Sequence, residues 1–354
     1  IRRPPISTLF PYTTLFRSCL CYNVIMSKLH LDLVNWYSHN KRALTFRMNQ
    51  DPYRVWISEI MAQQTQIDTL IPYYNRWMEH YPRLSDLFDA EEENLYRLWE
   101  GLGYYSRVRN ILKAAHQIKN EYQGVFPNAK ESIQQLSGIG DYTASAIASI
   151  CFNEKRAAID GNVKRVMSRL FLLDETELKK EFILIIKQKI ETWMEDVNPG
   201  DLTQGLMELG ALVCTKQAKC DRCPLQATCL AKQNDVVNDY PKSAKQLVKQ
   251  SEHIDVILMI NQNGSFALTQ EHSDALMQGY YRLPTLSQAH ITEYKKDARL
   301  RHVFSHKVWE VDFYIAETNN SQPFKWVTYH DSLQLPIITL HRKWLKQKAS
   351  IFQC

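Results

Sequence analysis

LSGIGDYTASAIASICFNEKRAAIDGNVKR, residues Leu136 to Arg165, sets the expected fold. Leu136-Ser137-Gly138-Ile139-Gly140 is a polar, glycine-bearing turn between two helical patterns. Ile133 and Leu136 stand at i, i+3 before it, and Ala144, Ile147, Ala148 and Cys151 recur at helical spacing after it. Glycines on both sides of Ile139 let the backbone turn tightly and leave bare N–H groups at the start of the second helix. A phosphate fits such a helix end, held without any reading of base sequence. The turn alone is equally compatible with an ordinary corner between two packed helices. Asp160-Gly161-Asn162 follows about one helix later, an acid well placed to face whatever the turn holds. Lys164, Arg165 and Arg169 come next, giving positive charge for phosphates or a solvated helix face.

The chain has 354 residues, enough for two domains, and its 45% apolar and 23% charged content suits a globular protein. No run of eighteen apolar residues occurs, so no membrane partner is expected. Residues 1–25 hold three arginines, three prolines and no acid. They have the composition of a transit peptide, but the prolines interrupt the helix one needs. RRPPISTLFPYTTLFRS looks like a translated sequencing adapter, so a non-native leader and a start at Met26 are expected. Without Arg2, Arg3 and Arg17 the formal charge falls from +5 to +2, and only local clusters can argue for nucleic acid.

From Met26 to about Leu230 the pattern is helical. Asp51-Pro52 opens a helix bearing Glu59 among apolar neighbours, with Gln63 on its face one turn later. LWEGLGYYSRVR, residues 98–109, combines two glycines, two tyrosines and two arginines, as suits a turn against a nucleic-acid backbone or a capped helix end with a basic surface. Cys214-x5-Cys220-x2-Cys223-x5-Cys229 places four thiols within sixteen residues, the pattern of a bound inorganic centre rather than a disulfide framework. Zinc usually takes paired Cys-x-x-Cys knuckles, and one such pair occurs here. Residues 231–252 are polar and read as a linker. His253–Ile260 and Ser265–Thr269 then predict strands about an Asn263-Gly264 turn, His302–Ala316 a second β pair, and Thr339–Gln347 a final helix.

These segments together resemble the helix–hairpin–helix DNA glycosylases, and DPYRVWISEIMAQQTQI closely matches the adenine DNA glycosylases of the MutY type. The resemblance implies a mainly α glycosylase domain over 26–230 with a [4Fe–4S] loop at 214–229, then an α+β Nudix-like domain over 253–350. It implies that Glu59 is the catalytic acid, its pKa raised by an apolar setting, and that Asp160 stabilises the developing sugar cation. Tyr142 and Asn162 would orient these groups, and Gln204 would hold the adenine edge. Gln64 and Tyr104 would wedge into the DNA stack, while Gly138, Gly140, Lys164 and Arg165 would meet the backbone. Phe304-Ser305-His306, otherwise an ordinary hairpin turn, would reach the opposite guanine, with Ser305 at the edge that marks oxidation. Cys214, Cys220, Cys223 and Cys229 would hold the cluster, although the first interval is one residue shorter than the family's.

Related endonuclease III enzymes carry a lysine where this chain has Tyr142, and tyrosine cannot form a Schiff base. Base removal without strand cleavage is therefore expected. The Nudix hydrolase glutamates are absent after Gly279, which argues against nucleotide hydrolysis. The expected substrate is double-stranded DNA carrying adenine opposite 8-oxoguanine or guanine, and the expected protein is a cytoplasmic, nucleoid-associated monomer. A non-catalytic iron–sulfur DNA-binding module is the alternative, but backbone binding gains nothing from Glu59 and Asp160.

Overall fold

The computed structural model describes residues 28–178, 180–242, 250–271, 279–304, 307–318 and 324–352. The leader, Ser305 and His306 lie outside the described residues. Two compact units form from segments distant in sequence. One comprises Ile1–Val55, Asn128–Gln135 and Ile139–Ala244; the other comprises Trp56–Pro127, Leu136–Gly138 and Lys245–Cys354.

The first unit is helical and centres on the Pro199–Leu212 helix. Pro199 costs its first turn no hydrogen bond, and Asn198 caps it by accepting the Asp201 N–H at 3.0 Å. Leu202, Leu206 and Leu209 are buried. This helix packs against the Leu29–Asn40, Asp141–Phe152 and Gly161–Phe171 helices. At Gly210 the approach is so close that a Cβ would lie 2.6 Å from the Cβ of Asn162. Any side chain there would push the Gly161–Phe171 helix away.

The predicted hairpin turn is present, between the Lys130–Gln134 and Asp141–Phe152 helices. Gly138 takes φ +77°, the left-handed region that other residues avoid, and a Cβ there would also strike Asn110. Gly140 is the N-cap of the second helix and is exposed, so its position faces open space.

In the second unit, Trp77 and Trp99 meet edge-on with centroids 5.8 Å apart, where the Ile67–His80 and Glu92–Trp99 helices pack. The sheet contains β1 (Gln250–Ile260), β2 (Phe266–Leu268), β3 (Lys295–Val303), β4 (Lys307–Glu317) and β5 (Lys325–Val327), ordered β3-β4-β1-β2-β5. β1 and β4 run parallel from Gln250 opposite Lys307 to Ile260 opposite Glu317; the other pairs are antiparallel. Asn261 closes the predicted hairpin by accepting the N–H groups of Asn263 and Ser265. Both sheet faces are covered. Trp344 of the Thr339–Gln347 helix stacks on Phe313 at 4.5 Å, and Ala289 and Leu286 pack against Ile257 and Met259.

The stretch expected to be a linker is partly structured. Leu230–Gln233 is helical, and β1 already begins at Gln250. The first four residues of β1 are exposed and polar, so the strand outruns the core and shows no apolar signal there.

The sheet also packs on the helices of its own unit. Tyr280 is fully buried, stacks on Tyr105 at 3.6 Å, and donates its hydroxyl to the Tyr96 carbonyl at 3.0 Å. Tyr105 and Thr339 share a 2.7 Å hydrogen bond, and Arg342 grips both carboxylate oxygens of Glu100 at 2.8 and 3.2 Å.

Candidate active site

Asp160 is the N-cap of the Gly161–Phe171 helix. One carboxylate oxygen accepts the Val163 N–H at 2.7 Å, and the other accepts the Asn162 side-chain amide at 2.9 Å. Asn162 in turn accepts from Arg165 Nη2 at 2.8 Å. Arg165 also donates to the Gly210 carbonyl at 2.8 Å and, through Nε, to the Cys214 carbonyl at 2.7 Å. A continuous run of hydrogen bonds therefore joins the first cysteine of the loop to the carboxylate. Each member admits one orientation, because a guanidinium only donates and a carboxylate only accepts. The asparagine between them must turn its oxygen to Arg165 and its nitrogen to Asp160.

Tyr142 is half-buried, its hydroxyl 3.9 Å from the sulfur of Met207. Gln204 lies one turn before Met207 on the same face of the Pro199–Leu212 helix. Lys164 is partly exposed, 3.5 Å from Glu175, a weak surface pair that leaves it available to a phosphate. Arg165 and Arg169, expected to supply positive charge for phosphates, both bond to the cysteine loop in this structure. Arg169 is buried and donates to the Thr215 carbonyl at 2.6 Å, the Tyr240 carbonyl at 2.9 Å and the Cys214 sulfur at 3.4 Å. Both guanidinia turn toward the cysteine loop, where they satisfy the Cys214 and Thr215 carbonyls.

The four cysteines are all half-buried. The short first interval closes on itself through the Lys219 N–H to the Val213 carbonyl at 2.9 Å and Thr215 Oγ1 to the Gln217 carbonyl at 2.6 Å. Burial pushes the Cys223 thiol up to about 12, and the neighbouring Cys214, Cys229 and Cys220 push the same way. Burial likewise raises Cys229, with Cys214 and Cys220 again contributing. Thiols so grouped become thiolates together only when a cationic centre binds them. The four thiols, with Arg165 and Arg169 bonded to their loop, are a candidate donor set for a metal centre. Replacing Cys220 or Cys223 with Ser is expected to cut iron content and soluble yield; stoichiometric zinc and no iron in anaerobically purified native protein would overturn the cluster.

Glu59 and the wedge candidates belong to the second unit. Glu59 is half-buried on the Pro52–Ala62 helix, next to buried Ser58 and Ile60. Gln64 is exposed with φ +57°, and Tyr104 is half-buried with φ +49°, both in the left-handed region. Arg107, one of two arginines read as suiting a nucleic-acid backbone or a basic surface, is buried, and desolvation lowers its pKa to about 10, leaving it a cation at neutral pH. A cavity of about 200 Å³ lies between the Gly101–Tyr105 stretch and Phe304, with Trp309 and Leu340 in its walls. Tyr104 and Phe304, far apart in sequence, thus line one space.

Sequence reasoning missed Glu208. It is fully buried and accepts from Arg42 Nε at 2.6 Å, Arg42 Nη2 at 2.9 Å and Arg47 Nη1 at 2.5 Å. Burial alone would raise its pKa, but the bonds and charge of these arginines hold it down to about 2. The signal was a lone acid in the apolar run LMELGAL, one helical turn after Gln204.

The model of the HhH-GPD superfamily of base excision DNA repair proteins matches residues 57–192, which span the hairpin and Asp160. The hairpin, the capped aspartate and the helical frame define that class. The adenine DNA glycosylase of Buchnera aphidicola subsp. Acyrthosiphon pisum is 36% identical over 259 residues, covering 71% of this chain and 72% of that protein. This chain belongs to the adenine DNA glycosylase family. The mouse adenine DNA glycosylase is 43% identical over 215 residues, 57% of this chain and 41% of that protein. Of the Buchnera aphidicola subsp. Baizongia pistaciae relative, 36% identical, the chain matches 65%. It therefore spans less than two thirds of these last two relatives. A thermostable thymine-DNA glycosylase shares the fold, with TM-score 0.54 and 22% identity over 60% of this chain and 98% of that one.

Proposed function

We propose that the protein removes adenine from double-stranded DNA where it faces 8-oxoguanine or guanine, and stops at the abasic site. The observation that carries this reading is the Asp160 carboxylate, fixed by Val163 and Asn162 one helix after a hairpin whose lysine position is Tyr142. The hairpin would hold the backbone through the N–H groups behind Gly140, and Gln64 and Tyr104 would offset the unstacking of the base. Glu59 would protonate the flipped adenine at N7, turning it into a leaving group. The bond to the sugar would then break with oxocarbenium character, and Asp160, preorganised by its hydrogen bonds, would stabilise that charge. The four cysteines would hold a [4Fe–4S] cluster, which would lock the loop whose Cys214 carbonyl holds Arg165 against Asn162.

The direct test is excision from duplexes with adenine opposite 8-oxoguanine, guanine or thymine, with borohydride added to trap any imine. Native protein is expected to release adenine without forming a covalent adduct, whereas Tyr142→Lys should gain some trapping and strand nicking. Efficient trapping by the native chain would defeat the monofunctional reading.

A further inference from the structure

Arg107 uses its guanidinium in an unusual way. Nη1 donates to the carbonyls of Ile60 at 2.7 Å, Met61 at 3.1 Å and Gln63 at 2.9 Å. Nη2 donates to those of Leu102 and Gly103, both at 3.1 Å. The first three close the Pro52–Ala62 helix, whose last carbonyls have no partner within the helix and favour a cation. The other two belong to the glycine loop, where Trp99 Nε1 also donates to Gly103 at 3.1 Å. Gln63 and Gly103 immediately precede Gln64 and Tyr104, both of which carry side chains at positive φ. The φ angle of a residue is a rotation relative to the carbonyl before it, so fixing that carbonyl constrains the angle. Side-chain-bearing residues stay in the left-handed region only where the surroundings over-determine them.

We infer that Arg107 is a positioning residue that sets Gln64 and Tyr104 together, by pinning both preceding carbonyls with one planar cation. The inference rests on the proposal that these two residues enter the DNA stack. It predicts a single wedge with two prongs, so loosening Arg107 disables both at once. Lysine cannot substitute, because an ammonium offers three donors from a point and cannot span two carbonyl groups in one plane.

The test uses Arg107→Lys in the full-length chain and single-turnover excision of adenine opposite 8-oxoguanine. One duplex is intact; in the other the adenine is flanked by abasic analogues, so little stacking opposes its exit. On the intact duplex the variant is expected to lose roughly tenfold to a hundredfold in rate, and on the flanked duplex no more than about threefold. In a Gln64→Ala/Tyr104→Ala background, Arg107→Lys should add no further loss. A merely destabilised protein would lose equally on both duplexes, and that result, or full additivity in the cycle, overturns the inference. If the Gln64→Ala/Tyr104→Ala protein itself excises from intact duplex at the native rate, the wedge reading fails and the inference falls with it. Should Arg107→Lys not fold, Trp99→Phe, which removes one donor to Gly103, is expected to show a smaller loss confined to the intact duplex. Equal loss on both duplexes there overturns the inference as well.

Discussion

Replacing Glu59 with Gln or Asp160 with Asn is expected to slow single-turnover excision by roughly two to four orders of magnitude, with DNA binding little changed. Neither change alters side-chain volume, so the effect is one of charge and protons. Asp160→Asn has a second effect. In Asp160→Asn the new side-chain oxygen would still accept the Val163 N–H, since asparagine caps a helix about as well as aspartate. Its amide nitrogen would then face the amide of Asn162, donor against donor, where Asp160 now accepts at 2.9 Å. Asn162 cannot turn over, because its oxygen is held by Arg165 at 2.8 Å. The Asp160→Asn protein should therefore also lose about 1–3 kcal/mol of stability, the cost of an unsatisfied polar group. Melting curves of both variants beside the native chain measure that loss separately from the loss of excision. Near-native excision by either variant would remove the catalytic assignment, whatever the melting curves show.

The Asp160–Asn162–Arg165 run marks where the sequence stops being informative. The hairpin was legible because glycine and helical spacing are local signals, and Thr339–Gln347 appears as a helix with the predicted bounds. Strands β1 and β2 were legible from their apolar runs and the Asn-Gly turn between them. The arginines were not. Arg107, Arg165 and Arg169 look in sequence like a basic surface, the usual place for such residues. Their hydrogen bonds depend on which carbonyls the tertiary fold brings near them, and that information is spread over distant segments. Arg169, for example, meets Thr215 and Tyr240. The packing of the sheet on residues 56–127 was hidden for the same reason, because Tyr280 and Tyr105 announce nothing in sequence about each other.

A chain ending after Asn234 is expected to retain excision of adenine opposite guanine in outline, but to lose roughly tenfold to a hundredfold of its preference for 8-oxoguanine, about one good base-edge contact. Glu59, Asp160 and the four cysteines all precede that point. Phe304, which lines the same cavity as Tyr104, does not. The structure supplies a second route for the loss. Truncation removes Tyr280, Thr339 and Arg342, the partners of Tyr105 and Glu100 on either side of the Gly101–Tyr105 stretch. A looser Tyr104 would blur discrimination even if the Phe304-Ser305-His306 turn contributed nothing. Two point variants separate the routes. Ser305→Ala keeps Tyr280 in the chain, whereas Tyr280→Ala keeps Ser305 in the chain and uncovers Tyr105. Emptying a buried aromatic site typically costs about 3–5 kcal/mol, so Tyr280→Ala should melt well below the native protein. Its discrimination must then be measured below the melting range. If direct reading dominates, Ser305→Ala reproduces more of the truncation's effect than Tyr280→Ala does. The reverse order would move the discrimination to Tyr104, and a truncated chain that told the two guanines apart as sharply as the full chain would end the case for either route.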